Sequence, residues 1–266
     1  MPCCMVPDVL VARVVTPNAH DADAGGDAGL LAAKALLREQ AWSALADAGA
    51  GRFPGIRHRI PNFVGAEAAA ERLAETTAWE HASVVKCNPD SPQWPVRTRA
   101  LQDGKTVVMA VPRLASMPPF MVLDPEDLDV APRQASSIKG SSQHARPAGV
   151  ADLDPIDLVV QGCVGVDMDG HRLGKGGGFA DLEFAVTVAA GILDPDVVVA
   201  TTVHDVQVLD ESVPTGAHDV ELDLVVTPTR VITVHRHGAR DVALDPDLLT
   251  EDKRTAIPLL TEVLGR

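Results

Sequence analysis

The stretch Gly170-His-Arg-Leu-Gly-Lys-Gly-Gly-Gly-Phe-Ala-Asp-Leu-Glu183 decides the fold and the site that this sequence predicts. The apolar run 156–160 before it predicts a buried strand, and residues 181–190 predict a helix. A glycine loop between a strand and a helix can bind an anion, because its amides approach the ligand closely and the helix N-terminus carries positive potential. We therefore expect residues 172–181 to hold the phosphates of a nucleotide.

Charged side chains accompany these glycines. Arg172 and Lys175 supply positive charge, and Asp181 supplies a carboxylate that could bind a divalent cation. The loop fits neither Gly-x-x-x-x-Gly-Lys-Ser/Thr nor Gly-x-Gly-x-x-Gly, since Phe179 stands where the third glycine of the second pattern belongs. A tight connection without a ligand is the alternative. The two cations and the carboxylate favour the phosphate site.

Apolar runs and helical patterns alternate along the rest of the chain. The predicted strands are continuously apolar, which is typical of a parallel sheet covered on both faces. We therefore predict an α/β fold: a three-layer, mostly parallel doubly wound sheet with helices on both faces. The predicted helices include 30–48 and 65–80, and the predicted strands are 83–86, 106–111, 156–160, 197–203, 206–209, 222–227 and 230–235.

Composition divides the chain into three parts. Residues 1–28 predict a disordered N-terminal tail, because their second half is rich in glycine, alanine and aspartate. Residues 29–240 form the predicted α/β domain, and residues 241–266 are a C-terminal extension with a weak helical pattern. Within the domain, the segment 115–149 is rich in proline, serine and glutamine. It predicts an irregular region that could form a mobile flap over the site.

The charge balance excludes some classes of partner. The chain has 37 acidic and 23 basic residues, a net charge of −14. Such a surface repels nucleic acid, whose phosphates require clustered Lys and Arg. The sequence contains no apolar run near the roughly 18 residues that a membrane span requires, and its four cysteines form no CxxC spacing. We expect a cytoplasmic protein, monomer or homodimer, that acts on a small molecule and binds neither nucleic acid nor membrane.

Two further loops supply candidates for substrate binding. In parallel sheets, ligands bind beyond the C-terminal ends of the strands. The loop that begins at Asn88 and the turn at Arg113 fall at such ends, as does the glycine loop. For the proline-rich loop at 87–97, a rigid surface connection is an equal alternative. The candidates are Arg59, Asn88, Gln93, Arg97 and Arg113.

Several motifs resemble those of the 5-formyltetrahydrofolate cyclo-ligase (methenyltetrahydrofolate synthetase) family. They are Lys34-x-x-x-Arg38, Gly104-Lys105 before the strand ending in Pro112-Arg113, Asp167-x-x-Gly-x-Arg-Leu-Gly-Lys-Gly-Gly-Gly-Phe-x-Asp181 and Val213-Pro-x-x-x-His-Asp219. The resemblance covers about residues 29–234. It implies a ring closure of 5-formyltetrahydrofolate to 5,10-methenyltetrahydrofolate that depends on ATP and Mg²⁺.

The resemblance also implies a role for each matching residue. Arg172 and Lys175 would be the catalytic cations, and Asp181 and Asp219 would hold magnesium directly or through water. The implied nucleotide-binding residues are Lys34, Arg38, Arg172, Gly174, Lys175, Gly176, Gly177, Gly178 and Phe179.

The chain departs from the family pattern at two places. Ala180 replaces the second aromatic residue of the glycine loop, and Asn88-Pro-Asp-Ser-Pro-Gln93 stands in place of a Ser-x-x-x-Glu motif on the folate side. These features resemble a divergent, domain-containing branch. Three hypotheses remain open: a cyclo-ligase acting on formyl-folate or a related formamide, a nucleotide-using enzyme with another substrate, and a non-catalytic nucleotide- or metabolite-binding protein.

Overall fold

A computed structural model of the chain describes residues 19–236, 238, 240, 242, 244, 249 and 251–265. The helices are α1 (Ala19–Asp47), α2 (Ala66–Ala74), α3 (Thr77–His81), α4 (Trp94–Gln102), α5 (Pro132–Ala135), α6 (Ile138–His144), α7 (Phe179–Ala189), α8 (Glu251–Ala256) and α9 (Pro258–Leu264). The strands are β1 (Val84–Cys87), β2 (Thr106–Ala110), β3 (Phe120–Leu123), β4 (Arg146–Ala148), β5 (Leu158–Val160), β6 (Gly165–Asp167), β7 (Arg172–Leu173), β8 (Val198–Thr202), β9 (Val208–Leu209), β10 (Leu224–Val226) and β11 (Val231–Thr233).

The predicted tail falls largely outside the described residues, since residues 1–18 are not described. The first helix begins at Ala19, earlier than the expected start at Leu30. The alanines of this segment favour continuation of the helix, although its two adjacent glycines oppose it.

Eight strands form the central sheet, in the order β11-β10-β8-β5-β1-β2-β3-β4. Its middle is parallel: Val85 of β1 pairs with Val107 of β2 on one side and with Leu158 of β5 on the other. The antiparallel strands lie toward the two edges. The prediction of a mostly parallel α/β sheet is confirmed.

Helices cover both faces of this sheet. Successive residues of a strand point to opposite faces, so Val84 joins the apolar core beneath α7 whereas Val85 joins the core beneath α2 and α4. Phe184 of α7 and Leu73 of α2 are fully buried in these two cores. The three-layer prediction is therefore confirmed.

A small second sheet, in the order β7-β6-β9, lies between the central sheet and α1. The sequence predicted that the strand at 156–160 leads into the glycine loop, and this small sheet changes that order. The β6–β7 hairpin separates β5 from the loop, so β7 and not the predicted strand at 156–160 leads into it. The strand expected at 206–209 is shorter, Val208–Leu209, and pairs with β6 in this small sheet.

The expectation of an irregular flap at 115–149 is wrong. Phe120 and Leu123 are buried, and β3 pairs antiparallel with β2 and β4 at the sheet edge. Polar residues of this segment lie at the ends of its helices and do not prevent them from forming. The Ser137 side chain, for example, accepts a hydrogen bond from the Gly140 amide and caps the N-terminus of α6.

Within the predicted C-terminal extension, the described residues 251–264 form α8 and α9. Ile257, Leu259 and Leu260 are buried and pack in the same apolar core as Phe184 of α7. These helices therefore belong to the folded body.

Candidate functional site

A cavity of about 490 Å³ opens at the C-terminal ends of β1, β2 and β5. The glycine loop, the loop after β1 and the turn after β2 form its walls. Its lining residues are His58, Ile60, Asn88, Pro89, Asp90, Ala110, Val111, Pro112, Arg113, Gly162, Arg172, Gly174, Lys175, Gly177, Gly178, Phe179, Ala180, Asp181 and Glu183.

The glycine loop presents free amides to this cavity. Residues 175–178 are exposed, and Gly176 and Gly178 have φ values of 104° and 64°, which a side chain would disfavour. Within the described part of the chain, the backbone N–H groups of residues 174–178 donate no hydrogen bond. Gly178 directly precedes α7, so the loop ends at the positive end of that helix's dipole. The loop therefore has the properties of an anion site.

Arg172 lies beneath the loop, with its side chain only 2% exposed. The guanidinium pairs with Asp181 in the first turn of α7, and its Nε finds no hydrogen-bond partner among the described residues. A buried N–H without a partner is costly unless a ligand or water accepts its hydrogen bond. Arg172 thus retains a donor at the wall of the cavity.

The two carboxylates predicted to hold magnesium lie on neighbouring segments. Oδ1 of Asp181 accepts hydrogen bonds from Arg172 and from the Val220 amide, and Oδ2 of Asp219 accepts from Lys34 and from the Gly216 amide. Two of the predicted phosphate-binding cations, Lys34 and Arg172, are thus paired with the two predicted metal ligands. The second oxygen of each carboxylate accepts no hydrogen bond from a described residue.

The first helix supports the loop from behind. Arg38 Nε donates to the Gly174 carbonyl at 2.8 Å, and Lys34, one turn earlier, pairs with Asp219. Burial lowers the pKa of Arg38, and the charge of Asp219 opposes that shift. Arg38 contacts the loop and Gly176 is part of it, whereas Lys34 and Asp219 pair with each other; these four residues do not line the cavity.

The loop after β1 forms the opposite wall, and a buried guanidinium fixes it. Arg97 donates to the carbonyl oxygens of Asn88 at 2.6 Å and of Asp90 at 3.1 Å. Asp90 Oδ1 lies 3.6 Å from Lys175 Nζ. Burial raises the pKa of Asp90, and the charges of Lys175 and Arg97 oppose that rise. The two loops therefore meet through a charge pair at the cavity mouth.

The predicted substrate-binding residues are only partly brought together. Asn88 and Arg113 line the cavity. Gln93 and Arg97 are buried in the fold beside it, where Gln93 donates weakly to Thr202 and Arg97 supports the loop. Arg59 is exposed on the surface, and its carbonyl accepts a hydrogen bond from Trp42.

Arg113 takes an unusual backbone conformation, with φ of 59°, in the left-handed region. Such conformations cost free energy for a residue other than glycine and concentrate at functional sites. This one directs the guanidinium over the Phe179 ring, 5.6 Å from its centroid. Arg113 thus adds positive charge beside the start of α7.

The model of the 5-formyltetrahydrofolate cyclo-ligase family matches residues 31–228. The chain belongs to this family. A methenyltetrahydrofolate synthase domain-containing protein of Bos taurus is 38% identical over 203 residues, which cover 74% of this chain and 53% of that protein. The Mus musculus protein of the same name is 35% identical over 239 residues, which cover 88% of this chain and 63% of that one. The chain thus spans less than two thirds of either relative.

A solved structure of 5,10-methenyltetrahydrofolate synthetase from Aquifex aeolicus is also similar, at 16% identity. It has a TM-score of 0.49, and the match covers 77% of this chain and 95% of that one. None of the helices among the described residues is both long and apolar enough to cross a membrane.

Within this cyclo-ligase family member, sequence reasoning missed a buried ion pair and two cavity carboxylates. Lys86 of β1 is 1% exposed and pairs with Glu183 of α7, which lines the cavity near Asp90. A lysine inside the apolar run of β1 was the available signal, because a buried lysine requires a partner. His58 also lines the cavity, and nothing in its sequence context indicated this position.

Proposed function

We propose that this protein is an ATP- and Mg²⁺-dependent ligase that closes the ring of 5-formyltetrahydrofolate, or acts on a related formyl or amide substrate. One observation carries the proposal: the amides of residues 174–178 donate no hydrogen bond within the described chain, and all of these residues except Gly176 line the same cavity as Arg172. Free amides at a helix N-terminus beside a buried guanidinium are suited to phosphate.

The nucleotide fits this loop better than it fits the opposite wall. Lys175 is 53% exposed and can turn from Asp90 toward a phosphate. Arg172 lines the cavity together with four residues of the loop. The loop after β1 carries the carboxylate of Asp90, which would repel a polyanion placed against it once Lys175 turns away. We therefore assign the triphosphate to the glycine loop.

Asp181 and Asp219 are suited to hold magnesium, because each retains one oxygen without a hydrogen bond from the described residues. Lys34 and Arg172, which now neutralise these carboxylates, would then contact phosphate oxygens. In this proposal Lys34 and Arg172 neutralise the two carboxylates in the ligand-free protein and the phosphates in the nucleotide-bound protein.

Bound ATP would supply the phosphoryl group that converts the substrate's formyl oxygen into a leaving group. The chain's own contribution is to align the two substrates and to neutralise charge. Arg172, Lys175, Asn88 and Arg113 all line the cavity. In this proposal Arg172 and Lys175 neutralise the phosphates, and Asn88 and Arg113 contact the second substrate.

A non-catalytic nucleotide- or metabolite-binding protein is the second candidate. Ala180 lines the cavity at the place of the family's second aromatic residue, so this wall lacks that ring. The carboxylate of Asp90 would also repel the carboxylates of a folate tail placed against it.

The test follows two products in one reaction. Purified protein receives ATP, Mg²⁺ and 5-formyltetrahydrofolate, while phosphate release and the absorbance of the methenyl product are recorded together. Equal, stoichiometric formation of both supports the cyclo-ligase. Binding of ATP without release of phosphate supports the second candidate in its nucleotide-binding form. Absence of nucleotide binding overturns the ligase and that form, and leaves only a metabolite-binding protein. Lys175→Ala serves as the impaired variant and Lys139→Ala, an exposed lysine of α6 away from the cavity, as its matched control.

A further inference from the structure

The C-terminal helices lie beyond residue 228, where the family match ends, yet they reach the glycine loop. Lys253 of α8 places its Nζ 6.0 Å from the centroid of the Phe179 ring. The same Nζ lies 3.6 Å from the position that a Cβ on Gly178 would occupy. The ammonium group is therefore beside the last loop residue and the first residue of α7.

A packed anchor holds Lys253 at this position. Ile257 follows one turn later, is fully buried, and donates its amide to the Lys253 carbonyl. Leu259 and Leu260 of α9 are buried in the same core as Phe184 of α7. Since α9 is packed against α7, α8 and its lysine are carried to the N-terminal end of that helix.

The charge distribution around this position indicates an anionic ligand. The chain is strongly acidic, with a net charge of −14. Even so, Lys253 and Arg113 both approach the Phe179 ring, at the positive end of the α7 dipole. The amides of residues 174–178 donate no hydrogen bond within the described chain, and the N-terminus of α7 favours anions. Two positive side chains from remote segments therefore converge on the predicted phosphate site.

We propose that Lys253 is a phosphate-binding residue of the nucleotide site, supplied by the C-terminal helices and not by the core that the family shares. Its ligand is the polyphosphate of the nucleotide, which its ammonium group reaches from the Gly178 side of the loop. This inference rests on the proposed function, because it assumes that the glycine loop binds a nucleotide.

The test compares Lys253→Met with wild type, with Lys253→Arg and with Lys139→Met, which removes one positive charge from an exposed site elsewhere. Calorimetry measures the affinity for a non-hydrolysable ATP analogue with Mg²⁺, at low and at high salt. Loss of one charge-assisted phosphate contact is expected to weaken binding roughly tenfold. Lys253→Arg and Lys139→Met should remain within about twofold of wild type. The difference should shrink at high salt.

The outcomes separate this inference from the proposed function. If wild type does not bind the analogue, the proposed function fails. If wild type binds it and Lys253→Met binds it equally, only the role of Lys253 is overturned. Thermal unfolding without nucleotide controls for folding. Should Lys253→Met unfold early, Lys253→Gln replaces it, and unchanged affinity in that folded variant also overturns the inference.

Discussion

Arg172 serves both the fold and the proposed ligand site. Its guanidinium is buried and paired with Asp181, so it ties β7 to the first turn of α7. Its Nε is buried and has no hydrogen-bond partner among the described residues, although buried donors nearly always have one. Lys175 differs, because it is half exposed and pairs with Asp90 only at 3.6 Å. A ligand can recruit Lys175 at little cost to stability.

Lys175→Ala should therefore separate binding from folding. We expect the affinity for ATP to fall roughly ten- to hundredfold, since a charge-assisted phosphate contact is lost. The free energy of unfolding should change by less than about 0.5 kcal/mol, as for other surface substitutions. Calorimetric titration and urea unfolding measure the two quantities. An equal loss of stability and affinity would argue against a phosphate role.

Lys86→Met, unlike Lys175→Ala, should strongly lower the free energy of unfolding. It leaves the Glu183 carboxylate buried without its partner, and breaking a buried pair in this way costs roughly 3–5 kcal/mol. Arg52→Met is the matched control, because it breaks the exposed pair with Glu67 and should cost less than about 1 kcal/mol. Urea unfolding compares the two, and a small effect of Lys86→Met would show that Glu183 finds another partner or a proton.

At the scale of elements, the C-terminal helices connect stability with the site. Leu260 is buried against the core that includes α7, whereas Leu264 on the same helix is 43% exposed. The docking of α9 therefore depends on one face of a short helix. Because α8 precedes it directly, loosening α9 also releases Lys253 from the loop.

Leu260→Ala is expected to lower the free energy of unfolding by roughly 2–5 kcal/mol, as other buried leucines do. It should also raise hydrogen exchange in α8 and α9 and weaken nucleotide binding. Leu264→Ala is the control on the same helix and should change stability by less than about 0.5 kcal/mol. Equal effects of the two substitutions would contradict the observed docking face.

At the scale of the molecule, two buried thiols report on the two faces of the sheet. Cys163 lies in the core beneath α7 and Cys87 in the core beneath α2 and α4. Burial raises the pKa of each thiol to about 11. Since the thiolate is the reactive form, both should be inert at neutral pH while the protein is folded.

In a Cys3→Ser, Cys4→Ser variant, we expect Cys87 and Cys163 to react with a disulfide reagent at pH 8 only as the protein unfolds. The two should react at the same urea concentration, because one sheet joins both cores. Mass spectrometry of the labelled peptides distinguishes them. Reaction of one thiol well before the other would show that the two layers unfold separately.

Local signals were enough to predict the class of fold and the centre of the site. The continuous apolar runs predicted parallel strands, and β1, β2, β5, β8 and β10 are such strands. The spacing of glycines around Lys175 predicted an open loop before a helix. The segment 115–149 was predicted wrongly because its proline-rich composition obscures the short apolar run 120–123, which forms β3 and pairs with the preceding strand β2.

By itself, then, the sequence determined the parallel strands of the central sheet, a helix after the glycine loop and the loop itself, because apolar runs and glycine spacing are local patterns. Only the tertiary structure decided which charges meet. It paired Arg172 with Asp181 and Lys34 with Asp219, buried Arg97 behind the Asn88 loop, and brought Lys253 to Phe179. Electrostatic partners are chosen by distance in space, and packing of remote apolar surfaces sets that distance.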